Sequence, residues 1–432
     1  MKILVIVGSL ALGGGAERAA VSLGNELYNN GHEITYLAFQ DKNPKYEFNG
    51  EYYILNQNHT FNQDTAKIKT LNDNLNFFKN GLKLIKNSLK IKNICSQKNI
   101  DTVISVGAEV NYHVILSGIF GNKSKIIATH HQNPESFSVN HKRVMKFLYP
   151  KSDMVVCVSK TMENIFKKKM GIKSNILTIY NILDIKNCIK LSGEKIPHEY
   201  QEIFKSGFIF INIGRLDASK GQWFLIRSFM NVVNKYNDAK LVILGNGELK
   251  KELEDLIKKL NLEKNVFLLG NQNNVFPFLK NSNCFVLSSL FEGLPVSLLE
   301  ALSTNLTIIS TDCRSGPREI LCPDLELDRR IEYPYFGKYG ILTNTFDRKS
   351  IFETINEKPL NKDEGDFSNL FFKKLIFDTI DEKPLTKEEE NLTNLMIKII
   401  EEDKLRKEYS LGQERAWNFD KTKIMEIWEE II

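Results

Sequence analysis

The chain has 432 residues, 42% of them hydrophobic and 26% charged, with a formal net charge of +5. At roughly 150 residues per domain this leaves room for two or three domains, each with its own core. So small a net charge does not point to nucleic acid, and no apolar run is long enough to span a bilayer, so any membrane contact is expected to be peripheral.

Residues 1–7 run straight into a Gly-rich turn and read as a first strand, not as the apolar stretch of a signal peptide. That strand, 2–8, leads through a glycine cluster to a helix-like segment at 16–29. Strand candidates follow at 33–38, 102–106, 125–130, 154–158 and 176–180. Residues 65–94 are basic and amphipathic, with Leu71, Leu75, Phe78, Leu82, Ile85 and Leu89 at helical spacing. A helix lying on a membrane surface has this pattern. So does a layer helix turning its apolar stripe onto a sheet ahead of 102–106, which is the reading adopted. Pro197 and polar residues mark a linker, after which 208–214 repeats the opening: apolar run, glycine, polar loop, helix-like 222–236. Strands are then expected at 240–244, 266–269, 284–287 and 307–310.

Short continuous apolar runs alternating with helical patterns imply parallel strands buried on both faces. Two such series predict an α/β chain of two Rossmann-like doubly wound domains, 1–185 and 206–410, with a linker at 186–205 and a helical tail at 411–432. Trp417, Phe419, Ile424 and Trp428 are the tail's apolar residues. Ligand is expected at the carboxyl ends of the strands. Residues 352–364 are echoed at 377–389; two copies are too few for a solenoid, so 345–390 is read as a duplicated helix-loop insertion. The six cysteines, Cys95, Cys157, Cys188, Cys284, Cys313 and Cys322, show no C-x-x-C pair and no metal-like spacing. Most sit in apolar runs as small hydrophobes, which fits a reducing cytoplasm.

Three loops carry the chemistry. The first, Gly13-Gly14-Gly15-Ala16-Glu17-Arg18, follows a strand and opens a helix. Glycine lets the backbone approach a ligand, and free N–H groups at a helix start favour an anion. The glycines are consecutive and no acid ends strand 33–39, so this is not a dinucleotide fingerprint; a tight turn without ligand also fits. The second, Gly214-Arg215-Leu216-Asp217-Ala218-Ser219-Lys220-Gly221, sets two cations five residues apart at a strand's carboxyl end. A planar Arg fork and a mobile Lys charge suit a diphosphate, with surface ion pairing as the plain alternative. The third runs from Glu292 through Gly293, Leu294 and Pro295 to Glu300, two glutamates with seven residues between them. A helix beginning near Pro295 would point its first N–H groups towards the crevice. Glu300, among Leu298, Leu299, Ala301 and Leu302, needs a partner that sugar hydroxyls would supply. A capping acid and an exposed helix-face residue are the plain alternatives for these two.

In this order and on these elements, the three loops resemble the retaining glycosyltransferases of family 4, which have the GT-B fold. There, two Rossmann-like domains face each other across a cleft and a C-terminal helix crosses back. The resemblance covers 1–341 and resumes at Arg415-Ala-Trp-Asn-Phe. Asp312-Cys-Arg-Ser-Gly-Pro-Arg-Glu-Ile-Leu321 is similar to the version in bacterial capsule, lipopolysaccharide and glycan-assembly enzymes. The resemblance implies a nucleotide-sugar donor, UDP-linked by family frequency, held mainly by the C-terminal half. It implies that Gly14 and Gly15 approach the donor phosphates, that Arg215 and Lys220, after Gly214, bind the diphosphate, and that Glu300 holds the ribose. Glu292, with the N–H groups of Gly293 and Leu294, would hold the sugar and β-phosphate, and Gly245, Gly247 and Asn271 would line the nucleobase. A histidine near the sugar is expected from Thr129-His130-His131-Gln132, with His131 preferred over His130.

No Asp-x-Asp motif ends a strand, so cations and helix N-termini are expected to carry the charge with no metal or other cofactor. The expected acceptor is a glycan or an undecaprenyl-linked carrier, bound by the N-terminal half. The excess of Lys and Arg before Glu199 suits such a carrier at the cytoplasmic face of an inner membrane, and suits a plain Lys-rich solvated surface equally. Two departures stand out. Asn305-Leu306-Thr307 replaces a usual Gly-x-Pro, and Asn there can take a left-handed C-cap. The segment 346–390 has no counterpart. The fold also serves nucleotide-sugar epimerases, phosphorylases and non-catalytic partners; intact Arg215, Lys220, Glu292 and Glu300 argue against the last, and the phosphorylase lysine context is missing.

Overall fold

A computed structural model describes residues 1–11, 14–39, 44, 46–55, 73–346, 380 and 383–432, with 73–80 as backbone. The first repeat copy, 352–364, lies outside the described residues, as does part of the second. The chain forms two compact units: Met1–Ile182 with Phe419–Ile432, and Leu183–Asn418.

The first unit holds a seven-stranded parallel sheet in the order β3-β2-β1-β4-β5-β6-β7. Its strands are β1 (Lys2–Val7), β2 (Glu33–Ala38), β3 (Glu51–Ile54), β4 (Thr102–Val106), β5 (Lys125–His130), β6 (Met154–Cys157) and β7 (Ile176–Thr178). Apolar runs such as Ile3–Ile6 are fully buried, as parallel strands covered on both faces require. Its helices are α1 (Gly15–Asn29), α2 (Asp73–Lys98), α3 (Ala108–Ile119), α4 (Val139–Leu148) and α5 (Lys160–Asn164). The last helix of the chain, Lys421–Ile431, packs on α1 and buries Ile424, Met425 and Trp428 in the core of this unit. Glu429 ties it down, accepting from Asn30 at 2.7 Å and lying 3.0 Å from His32.

The second unit repeats the plan in the order β10-β9-β8-β11-β12-β14-β13, parallel except for the β13–β14 pair. Its strands are β8 (Ile209–Ile213), β9 (Lys240–Leu244), β10 (Val266–Leu268), β11 (Cys284–Leu287), β12 (Thr307–Thr311), β13 (Tyr335–Phe336) and β14 (Ile341–Thr343). The labelled helices here are α6 (Ile185–Ser192), α7 (Gln222–Lys235), α8 (Lys250–Lys259), α9 (Phe276–Lys280), α10 (Val296–Ser303) and α11 (Pro317–Leu321).

Three expectations change. The expected linker 186–205 is largely ordered: Asp184 caps α6 by accepting from the Asn187 N–H, and α6 buries Ile185 and Cys188 against α9. The second unit also runs on to Asn418, so only the final residues of the 411–432 tail join the first unit. Helix α2 forms and packs on α3, yet it buries Asn87, Ser88, Ile91 and Cys95 and leaves Leu82, Ile85 and Leu89 exposed. Leu71 lies outside the described residues, as do the side chains of Leu75 and Phe78. All six cysteines are buried and unbridged. Among the described residues no helix is long and apolar enough to cross a membrane.

The described part of the second repeat copy is anchored on α7. Arg227 sits 3.2 Å from Glu389, both side chains nearly inaccessible, and donates to the carbonyls of Lys383 and Pro384 at 3.0 and 2.8 Å. Thr386 and Glu389 close a capping box that starts the helix Lys387–Glu401.

Candidate functional site

In the second unit, two loops meet at the carboxyl ends of β8 and β11. Leaving β8, Asp217 caps the turn Ala218–Lys220, accepting from the Ser219 N–H at 2.8 Å and from its hydroxyl at 2.5 Å. Gly221 then takes φ +62° and turns the chain into α7; a β-carbon there would stand 2.5 Å from the Ser288 carbonyl oxygen. This turn delivers the Lys220 ammonium to Glu292, Nζ to Oε1, at 2.7 Å. Ser289 donates to the same oxygen at 2.7 Å, and Ser288 donates to the Lys220 carbonyl at 2.8 Å. Burial pulls the ammonium down, but Glu292 beside it, and then Asp217, more than offset that and hold Lys220 above its ordinary value. Lys220 is therefore a cation throughout the physiological range.

The Glu292 loop is braced from behind. Thr311 donates to the Ser289 carbonyl at 2.6 Å, and Ser315 to the Gly293 carbonyl at 2.7 Å. A trans peptide points its C=O and N–H opposite ways, so pinning the Gly293 carbonyl aims the Leu294 N–H away from Ser315. Gly316, at φ +96°, backs onto Pro295 so closely that a β-carbon would lie 2.4 Å from its Cδ. Asp312 pairs with Arg318 and accepts from the Tyr333 hydroxyl at 2.6 Å, while Arg318 also donates to the carbonyls of Leu327 and Arg329. Pro295 is the N-cap of α10, as the Gly-x-Pro turn suggested, and no side chain caps that helix start. Glu300, on α10, is 2% exposed, the enclosed carboxylate its apolar neighbours implied.

Other expected residues stand apart from this pair. The Arg215 side chain is 62% exposed and lies 3.6 Å from Asp217 on its own loop. A β-carbon on Gly214 would meet the Lys220 side chain at an ordinary 3.5 Å, and Asn271 is exposed beside Gly270, which takes φ +69°. Gly245 and Gly247 have a packing reason of their own. Added β-carbons would lie 2.0 Å from the Gly214 carbonyl oxygen and 2.3 Å from that of Leu216. They let the β9 loop lie flat on the cation loop.

Gly14, Gly15 and His131 belong to the first unit. Gly14 is the N-cap of α1, with no side-chain cap, and a β-carbon on Gly15 would meet nothing within 4 Å. Packing therefore does not demand glycine at 15. His130 is fully buried among Phe137, Tyr149 and Phe166, 3.0 Å from the Tyr149 hydroxyl, and burial pulls it down to about 3. His131 lines a small cavity with Thr129, Tyr180 and Trp428, and burial pulls it down to about 4. The Thr129 hydroxyl spends its proton on the Ser105 carbonyl, at 2.9 Å, so towards His131 Nε2, 3.1 Å away, it can only accept. Neutral His131 then carries its proton on Nε2 and offers Nδ1 as an acceptor.

Sequence reasoning missed Ser289, Thr311 and Tyr333, and it singled out Asp312–Leu321 by resemblance without reading a role for Asp312, Ser315 or Arg318. The one available signal was the Ser288-Ser289 pair closing the apolar run of β11.

Known proteins match both units. Residues 13–187 fit the family model "Glycosyltransferase Family 4", and 195–327 fit "Glycosyl transferases group 1". An uncharacterized glycosyltransferase of Methanocaldococcus jannaschii is 41% identical, covering 94% of each chain. A Campylobacter jejuni enzyme, N-acetylgalactosamine-N,N'-diacetylbacillosaminyl-diphospho-undecaprenol 4-alpha-N-acetylgalactosaminyltransferase, is 29% identical over 79% of each. Among solved structures, Anabaena HepE in complex with UDP superposes with a TM-score of 0.66 at 17% identity, over 100% of this chain and 99% of that one. With two parallel-sheet Rossmann-like units and a relative this similar along nearly its whole length, the chain belongs to the GT-B glycosyltransferases of family 4.

Proposed function

We propose that this transferase moves a sugar from a UDP-sugar to a lipid-linked glycan acceptor, with retention of anomeric configuration and without a metal ion. The observation that carries the reading is the Lys220–Glu292 pair at the strand ends, beside the uncapped start of α10. As the C1–O bond breaks, negative charge grows on the leaving diphosphate. A preorganised ammonium and backbone N–H groups stabilise that charge without reorganising. On this reading Lys220 turns to the diphosphate, Glu292 and the Leu294 N–H hold the sugar and its phosphate, and Glu300 accepts from ribose hydroxyls. Arg215, exposed on the same loop, closes on the same phosphates. In the first unit, His131 Nδ1 accepts from a sugar hydroxyl, and Gly14 and Gly15 give phosphate the open start of α1.

UDP is supported by the ligand of the Anabaena neighbour, and the acceptor class by the undecaprenol-linked substrate in the Campylobacter relative's name. Such an acceptor places the work at the cytoplasmic face of a membrane, in the assembly of a surface polysaccharide or glycan. The test is nucleotide release from UDP-, GDP- and ADP-sugars in chelator, with wild type, Lys220→Ala and Glu300→Ala. Release from one UDP-sugar that survives chelator is expected, falling by about 10²-fold or more in Lys220→Ala. Strict dependence on added divalent metal, or full turnover in Lys220→Ala, would sink the mechanism. NMR of early product reads the anomeric outcome.

A further inference from the structure

The turn after Glu292 leaves one backbone donor to be aimed from outside. Gly293 has no side chain to restrict its backbone. Leu294, standing before a proline, is held extended, and Pro295 brings no N–H of its own. The direction of the Leu294 N–H therefore depends on how the Gly293–Leu294 peptide plane is set. Ser315 sets it, donating to the Gly293 carbonyl at 2.7 Å from the loop that follows β12.

Ser315 is itself held in place. It stands midway between Asp312 and Arg318, six residues apart, whose largely buried side chains join across it. The Arg318 Nε lies 3.3 and 3.2 Å from the two carboxylate oxygens of Asp312. The Tyr333 hydroxyl, arriving from a separate segment, donates to the same carboxylate at 2.6 Å. Burial, and then Asp312 beside it, push that hydroxyl far up, so it remains a donor across physiological pH. On one side of Ser315, Gly316 closes on Pro295. On the other, burial and then the charge of Glu292 push the Cys313 thiol well up, with Lys220 also felt, so this loop runs close behind the Lys220–Glu292 pair. A buried ion pair is a poor source of net stability compared with apolar packing. What a forked carboxylate–guanidinium pair does well is fix a geometry.

We propose that Ser315, held by Asp312, Arg318 and Tyr333, is a positioning residue for the transfer reaction. Through the Gly293 carbonyl it aims the Leu294 N–H at the β-phosphate of the donor nucleotide, which gains charge as the sugar leaves. Ser315 itself touches no substrate. The inference rests on the donor site proposed above, and its test needs neither the donor sugar nor the acceptor.

The test is calorimetric binding of UDP and of UMP, which differ by the β-phosphate alone, to wild type, Ser315→Ala, Tyr333→Phe, the double variant and Lys220→Ala. Wild type is expected to prefer UDP. Ser315→Ala is expected to weaken UDP about tenfold, the effect of losing a hydrogen bond to a charged group, and to leave UMP unchanged. Tyr333→Phe should weaken UDP less, and should add nothing in the Ser315→Ala background, because both act on one peptide. Melting close to wild type shows that the variants fold, and Tyr333→Phe, which removes one remote oxygen, carries the UDP-against-UMP comparison if Ser315→Ala does not. A preference for UDP kept in full by the folded variants overturns the proposal. So does an equal loss of UDP and UMP, or a further loss on adding Tyr333→Phe to Ser315→Ala, because the cluster would then be structural only. In either case a preference that Lys220→Ala abolishes leaves the donor reading standing. Wild type that binds UDP no better than UMP sinks both.

Discussion

Glu163 receives three donors in the first unit, Lys160 and Lys167 at 2.8 Å and the Thr178 hydroxyl at 2.5 Å. Burial pushes its carboxyl up, but the three donors more than reverse this and hold it at about 2. Because the folded value lies below the unfolded one, this stabilisation is complete above about pH 4.5 and is lost as pH falls towards 2. Glu163→Gln is expected to cost about 1–3 kcal/mol at neutral pH and much less near the acid end. Urea unfolding at the two pH values checks it, and an equal cost at both would contradict the assignment. His131 gives a second expectation. A neutral imidazole at about 4 leaves no His131 limb in the rate profile around neutrality. A limb near an ordinary imidazole pKa that disappears in His131→Asn would show the ring exposed and titrating. The site residues legible in the sequence were those whose charge is anomalous for their place: Lys220 and Glu292 at strand ends, Glu300 inside an apolar helix. Ser289, Thr311 and Ser315 were not legible, because a serine or threonine near a turn has many uses and only the fold shows which carbonyl it holds.

Asn305 takes φ +59°, the left-handed C-cap expected after α10, and its Oδ1 accepts from the Gln413 N–H at 2.8 Å. Asn305→Ala is expected to destabilise the second unit by about 1–2 kcal/mol, since alanine pays for that backbone geometry and loses the bond. Asn305→Gly should cost less, and thermal melting separates the two. The long alternating elements were readable because burial on both faces of a parallel strand leaves a continuous apolar run. Strands β3, β13 and β14 were not, being two to four residues long, with β3 half exposed at a sheet edge. For α2, periodicity placed Leu82, Ile85 and Leu89 on one face but could not say which face is buried. The buried side is lined by Asn87, Ser88, Ile91 and Cys95, on a helix that packs against α3.

At the scale of the molecule, the division into two α/β units was legible and the allocation of the tail was not in full. The tail reads as one helical segment, yet residues up to Asn418 serve the second unit and those from Phe419 serve the first. No local pattern encodes that change of loyalty; it follows from which core Ile424, Met425 and Trp428 can fill. Deleting the last helix is expected to lower the melting of the first unit by exposing the apolar faces of α1 and β2, while the second unit keeps its own transition. Calorimetry showing both transitions lowered equally would mean that the helix supports more than one core.

The same arrangement sets an order of events during synthesis. The second unit is a single stretch, Leu183–Asn418, and every residue it needs has been made before the first unit receives its final helix. The strands translated first are therefore completed last. Until residues 421–431 have been made, α1 waits with its seat for Trp428 uncovered, so the first unit is finished only after the second has been translated.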